Sequence, residues 1–158
     1  MYRIGHGVDF HQLCEGRDFF LGGVLVDYHR GALGHSDADV LLHALCDALL
    51  GAIAAGDIGT HFPDTDPKYK GIDSKILLKE SYRLVQEKGY NLVNADCTLC
   101  LEKPKIKPYV SAMQECISGI LEVSVQDVSI KATTTEKMGF VGREEGVMAH
   151  ATVLLIKA

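Results

Sequence analysis

The sequence predicts an α+β fold: a mixed β-sheet with helices packed on one face, plus a small hairpin. Three observations carry that prediction. Strand-like runs stand at both ends of the chain, at Tyr2–Val8 and Val147–Lys157. Between them, apolar positions recur at helical spacing in three separate segments. Gly22-Gly23 sits between two short apolar runs, which is a hairpin signal.

In chain order, Tyr2–Val8 reads as the first strand and Phe19–Tyr28 as the hairpin. Ser36–Ala55 reads as a helix, with Ser36 as N-cap, Asp39 three residues on, and Gly56 after the end. Gly56–Gly71 holds glycine, proline and three aspartates and reads as a long loop. Asp73–Lys88 is a second helix, with Ile76, Leu77, Tyr82, Leu84 and Val85 as apolar positions and Gly89 as the stop. Asn91–Glu102 alternates as a strand. Pro108–Leu121 is a third helix, with its proline tolerated in the first turn. Val125–Thr135 is rich in β-branched residues and reads as a strand. Glu136–Gly146 is a polar loop before the closing strand. No repeat, linker or low-complexity segment interrupts this order, so residues 1–158 are expected to form one domain.

Composition narrows the function classes. A formal net charge of -5 argues against an electrostatic grip on nucleic acid or an anionic membrane. An anionic ligand must then be held by local features: a metal, a few lysines, or backbone amides. The longest apolar stretch, Val40–Ala55, is broken by His43 and Asp47 and is too short to span a bilayer. The N-terminus lacks the layout of a signal peptide, and the five cysteines are an odd number in apolar segments. Both point to reduced thiols in a cytoplasm. Cys97 and Cys100 lie three apart on an expected strand and so face opposite sides, which argues against a metal knuckle.

The densest chemical signal is Asp9-Phe10-His11. Residues two apart on extended chain point the same way, so Asp9 and His11 converge. A third donor is available from the first helix, where Asp39, His43 and Asp47 fall on one stripe bordering Leu42, Leu45, Leu49 and Ile53. One carboxylate and two imidazoles are ligands that zinc accepts, and three ligands with an open fourth position are the catalytic arrangement. The competing reading leaves His11 and His43 unrelated, each satisfied by backbone.

Other segments suit anions. Gly34-His35-Ser36-Asp37 lies at the start of the first helix, where free N–H groups favour phosphate; simple capping by Ser36 is the plainer reading. Lys103, Lys105 and Lys107 crowd one turn, although such runs are commonly solvated surface. Thr133, Thr134 and Thr135 offer hydroxyls at a strand end, and Glu136 adds a carboxylate for a magnesium ion; threonines are also plain strand formers. The carboxylates of Gly56–Asp66 call for cations or hydroxyls, and their spacing is not that of an EF-hand.

GHGVDFH at Gly5–His11, GHSDADVLLHALCDALLGA at Gly34–Ala52, GDIGTHFPDTDP at Gly56–Pro67 and KATTTEKMGFVGREEG at Lys131–Gly146 together resemble the 2-C-methyl-D-erythritol 2,4-cyclodiphosphate synthase family. The resemblance runs through nearly the whole chain. It implies a lyase of the non-mevalonate isoprenoid pathway, cyclising 4-diphosphocytidyl-2-C-methyl-D-erythritol 2-phosphate with release of CMP. It implies Zn2+ on Asp9, His11 and His43, and a second divalent ion, Mg2+ or Mn2+, on Glu136. It implies a homotrimer with active sites between subunits.

By position, the resemblance gives Asp9, His11, His35 and Ser36 substrate contacts, with His35 and Thr134 aligning the transition state. Asp57, Ile58 and Gly59, with Phe62, Pro63, Asp64, Thr65 and Asp66, are expected to hold the polyol. Leu101, Glu102, Lys103, Pro104, Lys105, Ile106 and Lys107 face the cytidine and its phosphates, together with Thr133, Thr134, Thr135 and Glu136. Phe140 and Arg143 match further substrate-binding positions, and are also expected at the trimer axis as a site for an isoprenoid diphosphate. The stretch Cys14–Asp18 and His61 carry no expected role. Two rivals remain: a zinc-dependent nucleotide phosphohydrolase, and a metal-binding trimer without activity.

Overall fold

A computed structural model describes residues 1–158. Its framework is a five-stranded mixed sheet. Strand β1 (Tyr2–Glu15) lies between β7 (Gly146–Lys157) and the short β4 (Arg30–Ala32). Beyond β7 come β5 (Tyr90–Cys100) and the edge strand β6 (Val128–Thr133), giving the order β4-β1-β7-β5-β6. Only β5 and β6 pair in parallel; every other neighbour is antiparallel. β2 (Phe19–Leu21) and β3 (Val24–Val26) form the separate hairpin expected around Gly22-Gly23.

β1 is about twice as long as its sequence pattern suggests. It pairs with β7 as far as Gln12↔Gly146 and then with β4, so Asp9 and His11 lie inside a strand rather than at its end. β4 has no signal of its own: at three residues, with Gly31 in the middle, it depends on pairing with β1.

The first helix, α1, spans Val40–Ala52 rather than Ser36–Ala55, and its N-cap is Asp39 rather than Ser36. The Asp39 carboxylate accepts from the N–H of Leu42 at 3.0 Å, and also from Gly22 (3.0 Å) and Gly23 (2.7 Å) in the hairpin turn. Asp39 therefore ties the hairpin to the helix and is turned away from the site. Ten of the thirteen α1 residues are buried, because the helix lies between the sheet and α3 (Ser74–Glu87) instead of on the surface. The long loop contains a one-turn helix, α2 (Ile58–His61), and a 3-10 turn at Pro67–Tyr69, capped by Asp57 and Asp66 respectively. α4 (Val110–Leu121) follows a 3-10 turn at Lys107–Tyr109, and α5 (Gly139–Gly142) interrupts the last loop.

Sheet and helix meet at two glycines. A Cβ on Gly5 would stand 1.8 Å from the Ala48 carbonyl oxygen, and one on Gly7 would stand 1.9 Å from that of Ala44. The backbones approach closely because neither residue has a side chain. Along the helix-facing side of the other strands, Val147, Ala149, Ala151, Val153, Leu155, Ala95, Cys97 and Leu99 are buried. The opposite face carries Ile4 and Phe10, both exposed. Cys97 and Cys100 do face opposite sides, and all five cysteines are free. No helix is long and apolar enough to cross a membrane.

Candidate active site

Asp9 and His11 point from β1 toward α1, and His43 points back from the first turn of α1. His11 Nε2 lies 2.8 Å from Asp9 Oδ2, His43 Nδ1 lies 3.2 Å from the same oxygen, and the two ring nitrogens are 3.2 Å apart. A tetrahedral ion with bonds of about 2.0–2.1 Å separates its ligand atoms by roughly 3.3 Å. The three donors are thus spaced for one ion. They are the only group of three or more His, Cys, Asp or Glu side chains that meets the spacing of a metal site.

Asp9 Oδ2 is buried and accepts no hydrogen bond of normal geometry, although two ring nitrogens stand beside it. A shared cation would satisfy that oxygen and both nitrogens at once. The tautomers agree: His11 Nδ1 lies 3.0 Å from the Leu33 carbonyl oxygen, to which it can only donate, which leaves Nε2 bare. Burial pushes the Asp9 carboxyl up, but attraction to His11 and His43 outweighs it and brings it from the ordinary 3.8 to about 2. Burial pushes the His43 ring down, and Asp9, with Asp39 and Asp37 behind it, more than offsets this and raises it above 6.5.

A cavity of about 250 Å³ opens beside the three donors, lined in part by His35, Ser36, Ile58, Gly59, Phe62 and Asp64. The segment Gly34–Asp37 does not cap α1; it crosses in front of it. Arg17 holds this segment through two 2.8 Å bonds to the carbonyls of Gly34 and Ser36, a role that nothing in the sequence signals. Asp47, grouped with His43 by helical spacing, instead accepts from the Ile58 N–H at 2.7 Å and fixes the start of α2. Asp57, Pro63, Thr65 and Asp66 stay outside the cavity lining. Tyr69, Ile72 and Leu77 complete its wall and have no signal beyond being apolar.

The second set of expected residues gathers elsewhere. Leu101, Glu102, Pro104, Lys105, Ile106, Lys107, Thr133 and Thr134 line a cavity of about 220 Å³ at the ends of β5 and β6. Glu102 Oε1 accepts from the N–H groups of Thr135 (3.2 Å) and Lys137 (3.0 Å), so its side chain shapes the turn after β6. Glu136 lies in that turn, exposed and in the left-handed region (φ 52°), outside the metal group. Lys103 turns outward to Glu144 at 3.4 Å. Phe140 and Arg143 border a third cavity of about 650 Å³ with Phe10 and Arg30, and the Phe10 and Phe140 rings are 6.0 Å apart. β1, β5 and β6 run in the same direction, so the metal donors and the second cavity lie toward the same ends of these strands. The donors on β1 are two strand spacings from β5 and three from β6, about 10 and 14 Å.

An α+β scaffold that turns one carboxylate and two imidazoles toward an open cavity has the donor set and spacing that a divalent metal ion requires. Comparison with known proteins is more specific. The pattern of the YgbB family matches residues 2–156. The 2-C-methyl-D-erythritol 2,4-cyclodiphosphate synthase of Geobacillus sp. (strain WCH70) is 59% identical over 157 residues, covering 99% of both chains. The bifunctional IspDF from Campylobacter jejuni superimposes with a TM-score of 0.97 at 42% identity; the match covers all of this chain but 43% of that longer one. The CDP-bound form of 2C-methyl-D-erythritol-2,4-cyclodiphosphate synthase superimposes with a TM-score of 0.90 at 41% identity, over 98% of this chain and 100% of that one. The chain belongs to the YgbB family, the family of the 2-C-methyl-D-erythritol 2,4-cyclodiphosphate synthases.

Proposed function

We propose that the chain cyclises 4-diphosphocytidyl-2-C-methyl-D-erythritol 2-phosphate to 2-C-methyl-D-erythritol 2,4-cyclodiphosphate with release of CMP. The observation that carries this reading is the convergence of Asp9, His11 and His43 beside an open cavity in a member of this family. The reaction forms a bond from a 2-phosphate oxygen to the β-phosphorus. It breaks the bond from the β-phosphorus to the oxygen shared with the α-phosphate, which departs with CMP. The attacking phosphate is largely ionised near neutral pH (phosphate pKa about 6), so no general base is needed. The protein's work is to fold a flexible substrate and to balance its charge.

The metal is zinc in this reading, from its donor set of one carboxylate and two imidazoles. When bound, it supplies positive charge at a phosphoryl oxygen. His35 and Ser36 contact the phosphate and polyol from the metal-side cavity, which Ile58, Gly59, Phe62 and Asp64 close. Thr134, with Thr133 and the Leu101–Lys107 turn, receives the cytidine side, and Glu136, exposed in the turn after β6, would hold the second ion, Mg2+ or Mn2+. Residues 1–158 act as one domain.

The separation of the two cavities supports a homotrimer in which one subunit's metal cavity meets its neighbour's nucleotide cavity. The cavity at Phe10, Phe140 and Arg143 is the place for an isoprenoid diphosphate at the trimer axis. Five free thiols suit a cytoplasmic enzyme. Phosphorus NMR of the defined substrate, with and without chelator, tests the reading. Expected are a cyclic diphosphate and CMP, lost on chelation; an open-chain product would establish the phosphohydrolase instead.

A further inference from the structure

His43 offers Nδ1 toward Asp9 and His11, so that nitrogen can serve as a ligand only if the ring's proton is on Nε2. What lies behind Nε2 therefore decides whether the site is ready for an ion. Ser74 Oγ stands 2.8 Å from Nε2 and, in turn, 2.5 Å from Asp37 Oδ1. Ser74 is fully buried at the start of α3, and Asp37 precedes α1. Asp37 Oδ1 also accepts from the Asp39 N–H (3.1 Å), and Oδ2 accepts from the Ser74 N–H (2.9 Å). Both carboxylate oxygens are thus acceptors.

The direction of every proton in this chain follows. Facing an acceptor, the Ser74 hydroxyl must donate its single hydrogen to Asp37. Its oxygen then has only lone pairs to present to His43, so Nε2 must carry the proton and Nδ1 is left bare. We infer that Ser74 and Asp37 are positioning residues that brace His43 in its metal-ligating tautomer, a role that rests on the metal reading of Asp9, His11 and His43. Ser36 Oγ is also near Nε2, at 3.1 Å, but it accepts from the Ala38 N–H and lines the cavity, with no carboxylate behind it to set its hydrogen. The first residue of α3 supplies the contact, 31 positions along the chain from the ring it holds.

The test reads the tautomer directly. Long-range proton–nitrogen NMR of the metal-free protein, at a pH where the His43 ring is neutral, is expected to show Nε2–H in the wild type. Ser74→Ala and Asp37→Asn are expected to show a mixture or the Nδ1–H form, while Ser36→Ala keeps the wild-type signal. In chelator competition, Ser74→Ala and Asp37→Asn are expected to bind zinc roughly 10- to 100-fold more weakly. With cobalt in place of zinc, their visible absorption bands are expected to shift. An Nδ1–H ring in the wild type, or wild-type zinc affinity and tautomer in both variants, would overturn the inference. A wild-type protein that shows the Nε2–H ring yet takes up no zinc would support the brace and overturn the metal reading.

Discussion

Gly7 on β1 lies against Ala44 on α1 so closely that a Cβ on the glycine would stand 1.9 Å from the alanine's carbonyl oxygen. Ala44 follows His43, and Gly7 precedes Asp9 by two residues on the same strand face. The contact that brings helix and sheet together therefore also sets the distance between the metal donors.

Gly7→Ala is expected to force α1 off the sheet. Overpacking of this kind costs about 1–3 kcal/mol, and a backbone neighbour cannot turn aside as a side chain would. Denaturant unfolding should show the loss. Zinc bound per chain should fall with it, because the separation opens between His43 and the Asp9–His11 pair. Normal zinc content in a destabilised Gly7→Ala protein would show that the donors do not depend on this contact.

Removal of the His43 imidazole is expected to abolish zinc retention and turnover together. The remaining donors, Asp9 and His11, come from one strand and leave the helix side of the ion open. Elemental analysis of His43→Ala decides it; full zinc occupancy would refute the ligand.

The pH dependence of the metal-free protein follows from two opposite shifts. The Asp9 carboxyl is held at about 2 against an ordinary 3.8, so its contribution is complete above 3.8 and is lost as pH falls through about 2. The His43 ring is raised above 6.5, so its contribution is complete below 6.5 and is lost as pH rises through the folded value. Between about 4 and 6.5 both are present. Thermal unfolding in chelator is expected to show wild type exceeding Asp9→Asn most in that window. Added zinc should extend the advantage to higher pH, where the ion no longer competes with a proton.

Asp39→Ala is expected to cost about 3–4 kcal/mol, since it removes the α1 cap and leaves the N–H groups of Gly22, Gly23 and Leu42 without their acceptor. Chemical denaturation measures it. A loss below 1 kcal/mol would mean that water replaces the carboxylate.

Glu136→Gln is expected to weaken the magnesium or manganese dependence of turnover while zinc content stays normal, because Glu136 lies outside the group of Asp9, His11 and His43. An unchanged titration with the second ion would remove that role.

Much of the fold was legible because local patterns carried it. Strand-like runs marked β1, β5, β6 and β7, Gly22-Gly23 the hairpin, and apolar spacing the three long helices. Boundaries shifted where side chains chose partners at a distance. Ser36 reads as the natural cap, but the true cap is Asp39, whose carboxylate also serves the hairpin. Asp39, His43 and Asp47 share one helical stripe, and only His43 turns to the site, because the other two are claimed by backbone N–H groups of the hairpin and α2. Arg17 and β4 carried no local pattern, since their roles exist only against the loop and strand beside them.

By itself the sequence determined that Asp9 and His11 share a side, since residues two apart on a strand always do, and its four motifs determined the family. Only the tertiary structure decided that His43 meets them, because that depends on how closely α1 can press on β1, and two missing side chains at Gly5 and Gly7 set that depth. It alone decided that Ile58, Gly59, Phe62 and Asp64 line one cavity and the Leu101–Lys107 turn and Thr133–Thr134 another, since strand order, not chain order, sets how far apart strand ends fall.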